Sequence, residues 1–207
     1  MQQLPSQLKF LRLKRCDFAD VITADLAALR MEMRPASRYM TRRSTGAALT
    51  RTELAIIRSA QAFERWCVVL HSTVSDSRLS AQDVWILHSI RMRGGAQNLS
   101  ELLLFLNRND VSTIQYSLRK IEQAGLIERV TGNSKREAGY RLTEEGEAAT
   151  KEYADLRDEL LIELAEDIRD FEEALVAAAS TLERLTGTYD QATQLVLNRK
   201  IMQPPQD

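Results

Sequence analysis

The sequence predicts a mostly α-helical protein with one small β hairpin, and three observations carry that expectation. All four prolines, Pro5, Pro35, Pro204 and Pro205, lie outside residues 36–203, so nothing forces the long interior out of helix. Within that interior, three positions pair a polar capping residue with an acidic residue three places on: Thr50 with Glu53, Ser80 with Asp83, and Asn98 with Glu101. Between residues 126 and 142 the apolar pattern then leaves helical spacing for short runs of branched residues, as a strand pair requires.

Residues 1–49 read as a basic N-terminal extension. Residues 1–17 show no clear period, 18–33 suit a short helix that Pro35 ends, and 36–49 read as a flexible linker with Arg38, Arg42 and Arg43. Residues 50–79 hold the first long helix, opening at Thr50. There Ile56, Ala60, Phe63, Cys67, Leu70 and Val74 alternate in steps of four and three, forming one stripe that suits packing against another long helix.

Residues 80–142 form the next segment. A helix starts at Ser80 and ends at Gly94 and Gly95; a third starts at Asn98 and runs through Leu102, Leu103 and Leu106. Asn107-Arg108-Asn109 makes a tight turn into a fourth helix near Asp110, whose Val111, Ile114, Leu118 and Ile121 face the core. Gly125 stops it, because a left-handed terminal residue is least strained as glycine. Residues 126–131 and 139–142 are strands, joined by a loop over 132–138. A basic loop on a hairpin directly after a helix-turn-helix is a wing, and the hairpin must pack on those helices, since alone it would be marginal in water.

Residues 143–207 are helical again, ending in a frayed tail after Arg199. Tyr153, Leu156, Leu160, Leu164, Ile168, Phe171, Leu175, Ala178, Leu182 and Leu185 follow one another at three or four. The small preceding domain cannot cover a stripe of that length, which asks for both the first long helix and a second subunit. A kink is expected near 166–170, Gly187 is expected to interrupt the helix, and 189–199 to add a last short one.

The charge balance is uneven. The formal net charge is −1, yet residues 1–51 carry +6, 52–142 carry +3 and 143–207 carry −10. That asymmetry fits a chain that meets a polyanion with its first two thirds, and it fits equally a set of solvated acidic helices. No run approaches the roughly 18 apolar residues of a membrane span, the first residues lack a secretory pattern, and only Cys16 and Cys67 are present. The expectation is a soluble cytoplasmic protein. No glycine-rich phosphate loop, nucleophile motif or histidine–carboxylate cluster stands out, so neither catalysis nor a cofactor is expected. His71, His88, Cys16 and Cys67 are not paired at metal-ligand spacing, and no metal is expected. Cys67 lies on the apolar stripe and is expected to be a buried structural thiol. Cys16, beside Lys14 and Arg15, is open to reading as a redox sensor or an ordinary thiol. Trp66, Trp85 and His88 are open to reading as cavity lining or as core.

Two stretches resemble the MarR (multiple antibiotic resistance regulator) family. One is the run Ser112-Thr113-Ile114-Gln115-Tyr116-Ser117-Leu118-Arg119-Lys120-Ile121-Glu122-Gln123-Ala124-Gly125-Leu126-Ile127; the other is Leu142-Thr143-Glu144-Glu145-Gly146. The resemblance covers roughly residues 50–186. It implies a winged helix-turn-helix with long N- and C-terminal dimerisation helices, acting as a homodimer on double-stranded DNA. It further implies a repressor on a pseudo-palindromic operator, relieved by a small aromatic effector. One position departs: the family's wing carries Asp-x-Arg, and here those places hold Ser134 and Arg136.

In that frame Ser112, Thr113, Gln115, Tyr116, Arg119 and Lys120 occupy the face of the fourth helix opposite its core stripe and are candidate DNA-binding residues. Gln115 suits adenine, and Arg119 suits guanine or a phosphate. Ser112 and Thr113, near the helix N-terminus, suit phosphate or base edges. Lys135 and Arg136 at the wing tip complete the set, while Arg42 and Arg43 are read either as a DNA-contacting arm or as linker. The competing reading is a winged-helix protein-interaction module that no longer binds DNA.

Overall fold

The computed structural model describes residues 43–131, 139–166 and 168–202. Their elements are α1 (Ser44–Val74), α2 (Ala81–Arg93), α3 (Leu99–Phe105), α4 (Val111–Gln123), β1 (Ile127–Val130), β2 (Gly139–Leu142), α5 (Glu144–Arg157), a π-helical turn (Asp158–Ile162), α6 (Glu163–Glu166) and α7 (Phe171–Met202). The chain divides into two compact units at Ala62/Phe63, inside α1. The predicted helix over 18–33 and most of the predicted linker lie outside the described residues.

In the first unit, α1 opens at Ser44, six residues ahead of the predicted start. Thr50 does not cap the helix. Its hydroxyl donates to the Gly46 carbonyl at 3.0 Å, one turn back, as threonine does inside a helix. Residues 44–49 are therefore helix and not linker.

The second unit holds the winged domain. Its core consists of Val84, Ile86 and Leu87 of α2, Leu102 of α3, Ile114, Leu118 and Ile121 of α4, and Leu126, all 0 % exposed. Both predicted capping boxes here form. Ser80 Oγ accepts from the Asp83 N–H while the Asp83 carboxylate accepts from the Ser80 N–H, and Asn98 pairs likewise with Glu101. Gly125, at φ 76°, follows the end of α4 in the left-handed conformation predicted for it.

β1 and β2 pair antiparallel with Ile127 opposite Leu142 and Val130 opposite Gly139. Gln97 adds an isolated bridge to Tyr140, with backbone N···O distances of 2.8 and 2.9 Å, so the hairpin is tied to the segment before α3. Thr143 caps α5: its hydroxyl accepts from the Gly146 N–H at 3.0 Å and donates to the Gly125 carbonyl at 2.6 Å. This seats the first turn of α5 against the end of α4. A Cβ added at Gly146 would lie 2.0 Å from the Leu126 carbonyl oxygen.

The C-terminal helices break where the kink was expected, with Asp170 at φ 57° between α6 and α7. The predicted interruption at Gly187 does not occur: α7 is one helix from Phe171 to Met202. A single glycine costs a helix about 1 kcal/mol, too little to stop one of this length. Along the predicted stripe only Tyr153 is buried, and Leu164, Ile168 and Leu175 are 60, 52 and 50 % exposed.

Two glycines should respond oppositely to alanine. Gly187→Ala, where a Cβ meets nothing within 4 Å, should stabilise the protein by about 1 kcal/mol. Gly146→Ala should destabilise it by about 3 kcal/mol. Urea unfolding reads both. A second prediction concerns His88, which packs against Tyr153 with ring centroids 4.2 Å apart. Burial, then the charges of His71 and Arg91, pull its imidazole down to about 4. The unfolded histidine titrates near 6.5. Between those values only the unfolded chain takes up the proton, so this stabilisation is complete above pH 6.5 and is lost as pH falls toward 4. His88→Gln should remove up to about 3 kcal/mol of that pH dependence, read from unfolding free energies across the range.

Candidate nucleic-acid interface

α4 is strongly two-faced. Ile114, Leu118 and Ile121 are fully buried and Ser117 is 1 % exposed beside them, whereas Val111, predicted to join them, is 43 % exposed at the first residue of the helix. Ser112, Thr113, Gln115, Tyr116 and Arg119 are all exposed on the opposite side, Tyr116 to 63 %. The periodicity that buries one face thus leaves five of the six predicted α4 residues together on a polar surface.

Lys120, the sixth, stands apart. It lies at the edge of the core face, half-buried, with its ammonium 2.7 Å from the Asp83 carboxylate. Asp83 is itself 2 % exposed. Burial alone would raise its carboxyl; hydrogen bonds from Lys120, Ser117 and Ser80 outweigh that and hold it below the ordinary carboxylate value.

The turn into α4 is closed locally. Asn107 takes φ 50°, a left-handed conformation that asparagine tolerates, and the Arg108 N–H donates to the Leu103 carbonyl at 2.8 Å. Arg108 grips Asp110 through two parallel bonds, Nε to Oδ1 at 2.7 Å and Nη2 to Oδ2 at 2.5 Å. That hydrogen bonding holds the Asp110 carboxyl well below its usual range and raises the guanidinium in turn. Asp110 is the N-cap residue of α4 yet makes no side-chain cap. Sequence reasoning treated Arg108 only as part of a turn. The two-residue spacing to an aspartate was the available signal.

The wing loop, with Ser134, Lys135 and Arg136, lies outside the described residues, as do Arg42 and Cys16. The strands beneath the loop carry further arginines. Arg141 pairs with Glu128 at 2.7 Å, and Arg129 lies 3.7 Å from Glu122 and 5.4 Å from the Tyr140 ring centroid. These pairs fix the base of the hairpin.

Trp66, Trp85 and His88 belong to the packing around the core. Trp85 stacks on Phe63 with centroids 5.6 Å apart and donates to Cys67 Sγ at 3.3 Å. Cys67 is buried, as its place on the stripe predicted. Trp66 Nε1 and His88 Nε2 are buried with no hydrogen-bond partner among the described residues. Among the described residues no group of three or more His, Cys, Asp or Glu side chains is placed to hold a metal ion.

Comparison with known proteins agrees with this geometry. Residues 79–146 match the winged helix DNA-binding domain family. A search of curated proteins finds no match. Among solved structures, a mutant MarR from E. coli complexed with operator DNA is similar at TM-score 0.54 and 20 % identity, over 65 % of this chain and 95 % of that one. Rv1404 from Mycobacterium tuberculosis is similar at TM-score 0.52 and 20 % identity, over 71 and 97 %. MepR from S. aureus, in a DNA complex, is similar at TM-score 0.51 and 14 % identity, over 65 and 95 %. Over residues 79–146 the chain is thus similar to the winged helix DNA-binding domain family, and its fold is that of the MarR, Rv1404 and MepR structures.

Because the outer face of α4 supports nothing in the core, its substitutions should spare the fold. Gln115→Ala, Tyr116→Ala and Arg119→Ala should each shift unfolding free energy by no more than about 0.5 kcal/mol, read by thermal denaturation.

Proposed function

We propose that this protein is a sequence-specific transcriptional regulator that binds double-stranded DNA as a homodimer, with α4 as its reading helix. The observation that carries the reading is the exposed row of Ser112, Thr113, Gln115, Tyr116 and Arg119 on a helix whose other face is fully buried, inside a winged helix domain. Such a helix inserts into the major groove, where Gln115 can pair bidentately with adenine and Arg119 with guanine. Lys135 and Arg136 extend the contact from the wing to backbone phosphates or the minor groove. With Ser134 in place of the family's aspartate, Arg136 is oriented by a weaker acceptor.

The unburied apolar side chains after Tyr153 support the homodimer. Leu160, Leu164, Ile168, Leu175 and Leu182 are each more than two fifths exposed in the single chain. A stripe of this kind seeks a partner of the same chemistry, and two copies would set two reading helices on half-sites about one helical turn apart. The regulator reading includes repression from a pseudo-palindromic operator, relief by a small aromatic effector, residence in the cytoplasm and no catalytic role. No helix among the described residues is long and apolar enough to cross a membrane.

The test is fluorescence anisotropy of the full chain on random duplex DNA over a salt series, with sedimentation alongside. The reading expects a particle of twice the 23.5 kDa chain. It expects affinity to fall linearly with salt on logarithmic axes, with a slope of about −0.9 per phosphate neutralised. Replacing Arg119 and Arg136 together should weaken binding and flatten that slope. No binding at low salt overturns the regulator reading in favour of a protein-interaction module.

A further inference from the structure

We infer that Asp83 is the positioning residue of the reading helix, a single buried carboxylate that joins the start of α2 to α4 and sets the angle at which α4 presents its outer face. The inference rests on the regulator reading above. Asp83 does two things at once. As the third residue of α2 its Oδ2 accepts from the Ser80 N–H at 2.8 Å, closing the capping box. The same oxygen accepts from Lys120 Nζ at 2.7 Å. The neighbouring Gln82 donates its Nε2 to Ser117 Oγ at 2.9 Å. Two adjacent residues of α2 thus hold two residues of α4 that lie one turn apart, along one edge of its buried face.

Apolar packing alone would not fix that angle. Ile114, Leu118 and Ile121 make non-directional contacts, which tolerate a small roll or slide of one helix on another. Hydrogen bonds at Ser117 and Lys120 weaken steeply when misaligned. Side-chain tips lie about 5–6 Å from a helix axis, so a roll of about 20° moves the tips of Gln115 or Arg119 by about 2 Å, enough to lose a base-edge hydrogen bond. A carboxylate buried this deeply is tolerated only because every bond it makes is satisfied. On this view Lys120 acts through Asp83 and not as a direct DNA contact.

The test compares the full chain with Asp83→Asn, Lys120→Met and the double variant. Asp83→Asn keeps an acceptor for the Ser80 N–H and removes the charge that holds Lys120. Kd is measured on a duplex selected from random sequence and on random duplex, at a temperature where circular dichroism shows each variant folded. Amide hydrogen exchange of α4 is followed against that of α5. The clasp predicts that each single variant loses about tenfold on the selected duplex and less than about twofold on random duplex, with the double no worse than either single. It also predicts faster exchange confined to α4. Equal losses on both duplexes for Lys120→Met with no loss for Asp83→Asn would overturn it, making Lys120 a plain phosphate contact. So would an unchanged ratio of the two affinities, or single effects that simply add. Should Asp83→Asn not fold, Lys120→Met decides by the same ratio. Should the unaltered protein bind no duplex at all, the regulator reading fails, and the exchange data decide the clasp alone: α4 loosened relative to α5 sustains it, equal exchange overturns it.

Discussion

Burial of α2 on most of its surface obliges its polar groups to find partners inside the protein, and those partners place the elements around it. Asp83, Val84, Ile86, Leu87, Ser89 and Ile90 are all buried on this one short helix. At its start, Asp83 and Gln82 reach α4. In its middle the Ser89 hydroxyl turns back to the Trp85 carbonyl at 2.6 Å. Toward its end Arg91 reaches α5, pairing with Glu147 and donating to Thr150 Oγ1 at 3.0 Å. Beyond it, Arg93 holds Gln97 at 2.6 Å, and Gln97 bridges to the second strand. For the buried Asp83 and Ser89 solvent is no alternative. Bonds from Gln82, Asp83 and Arg91 tie α4 and α5 directly to α2, and the hairpin is tied to it through Gln97.

The parts legible in the sequence are those whose cause is local. The capping boxes at Ser80 and Asn98 could be read because donor, acceptor and helix start fall within four residues. The buried and exposed faces of α4 could be read because a period of 3.6 separates them without knowledge of what lies opposite. Thr50 and Gly187 show where local reading fails. Each carried a genuine end signal, and in each the preference of one residue was too weak against a long run of good helix formers. The bond between Asp83 and Lys120 spans 37 positions, and nothing in either neighbourhood announces it. Lys120 therefore read as one more outward-facing cation. The bridge from Gln97 to Tyr140 was hidden for the same reason.

The charge distribution gains meaning from the fold. The basic surplus precedes residue 143 and the acidic surplus follows it, and Leu142 is where the hairpin ends and the C-terminal helices begin. Acidic residues open each of those helices, Glu144, Glu145 and Glu147 in α5, Glu172 and Glu173 in α7, where they face the positive end of the backbone dipole. Part of the acidity that made the whole chain look neutral thus has a structural cause independent of any ligand.

The π-helical turn at Asp158–Ile162 works as a phase shifter. The apolar residues around it, Leu156, Leu160, Leu164 and Ile168, are spaced by fours, a rhythm that drifts about 40° per step on an α-helix of 3.6 residues per turn. A wider turn absorbs part of that drift, and it does so where the stripe changes hands. Tyr153, before it, is 7 % exposed in the winged domain, whereas Leu164, after it, is 60 % exposed. One inserted residue's worth of rotation, about 100°, offsets most of the roughly 120° that three such steps accumulate, so the apolar run keeps one line as it passes from the domain's own interior to the exposed stretch beyond it.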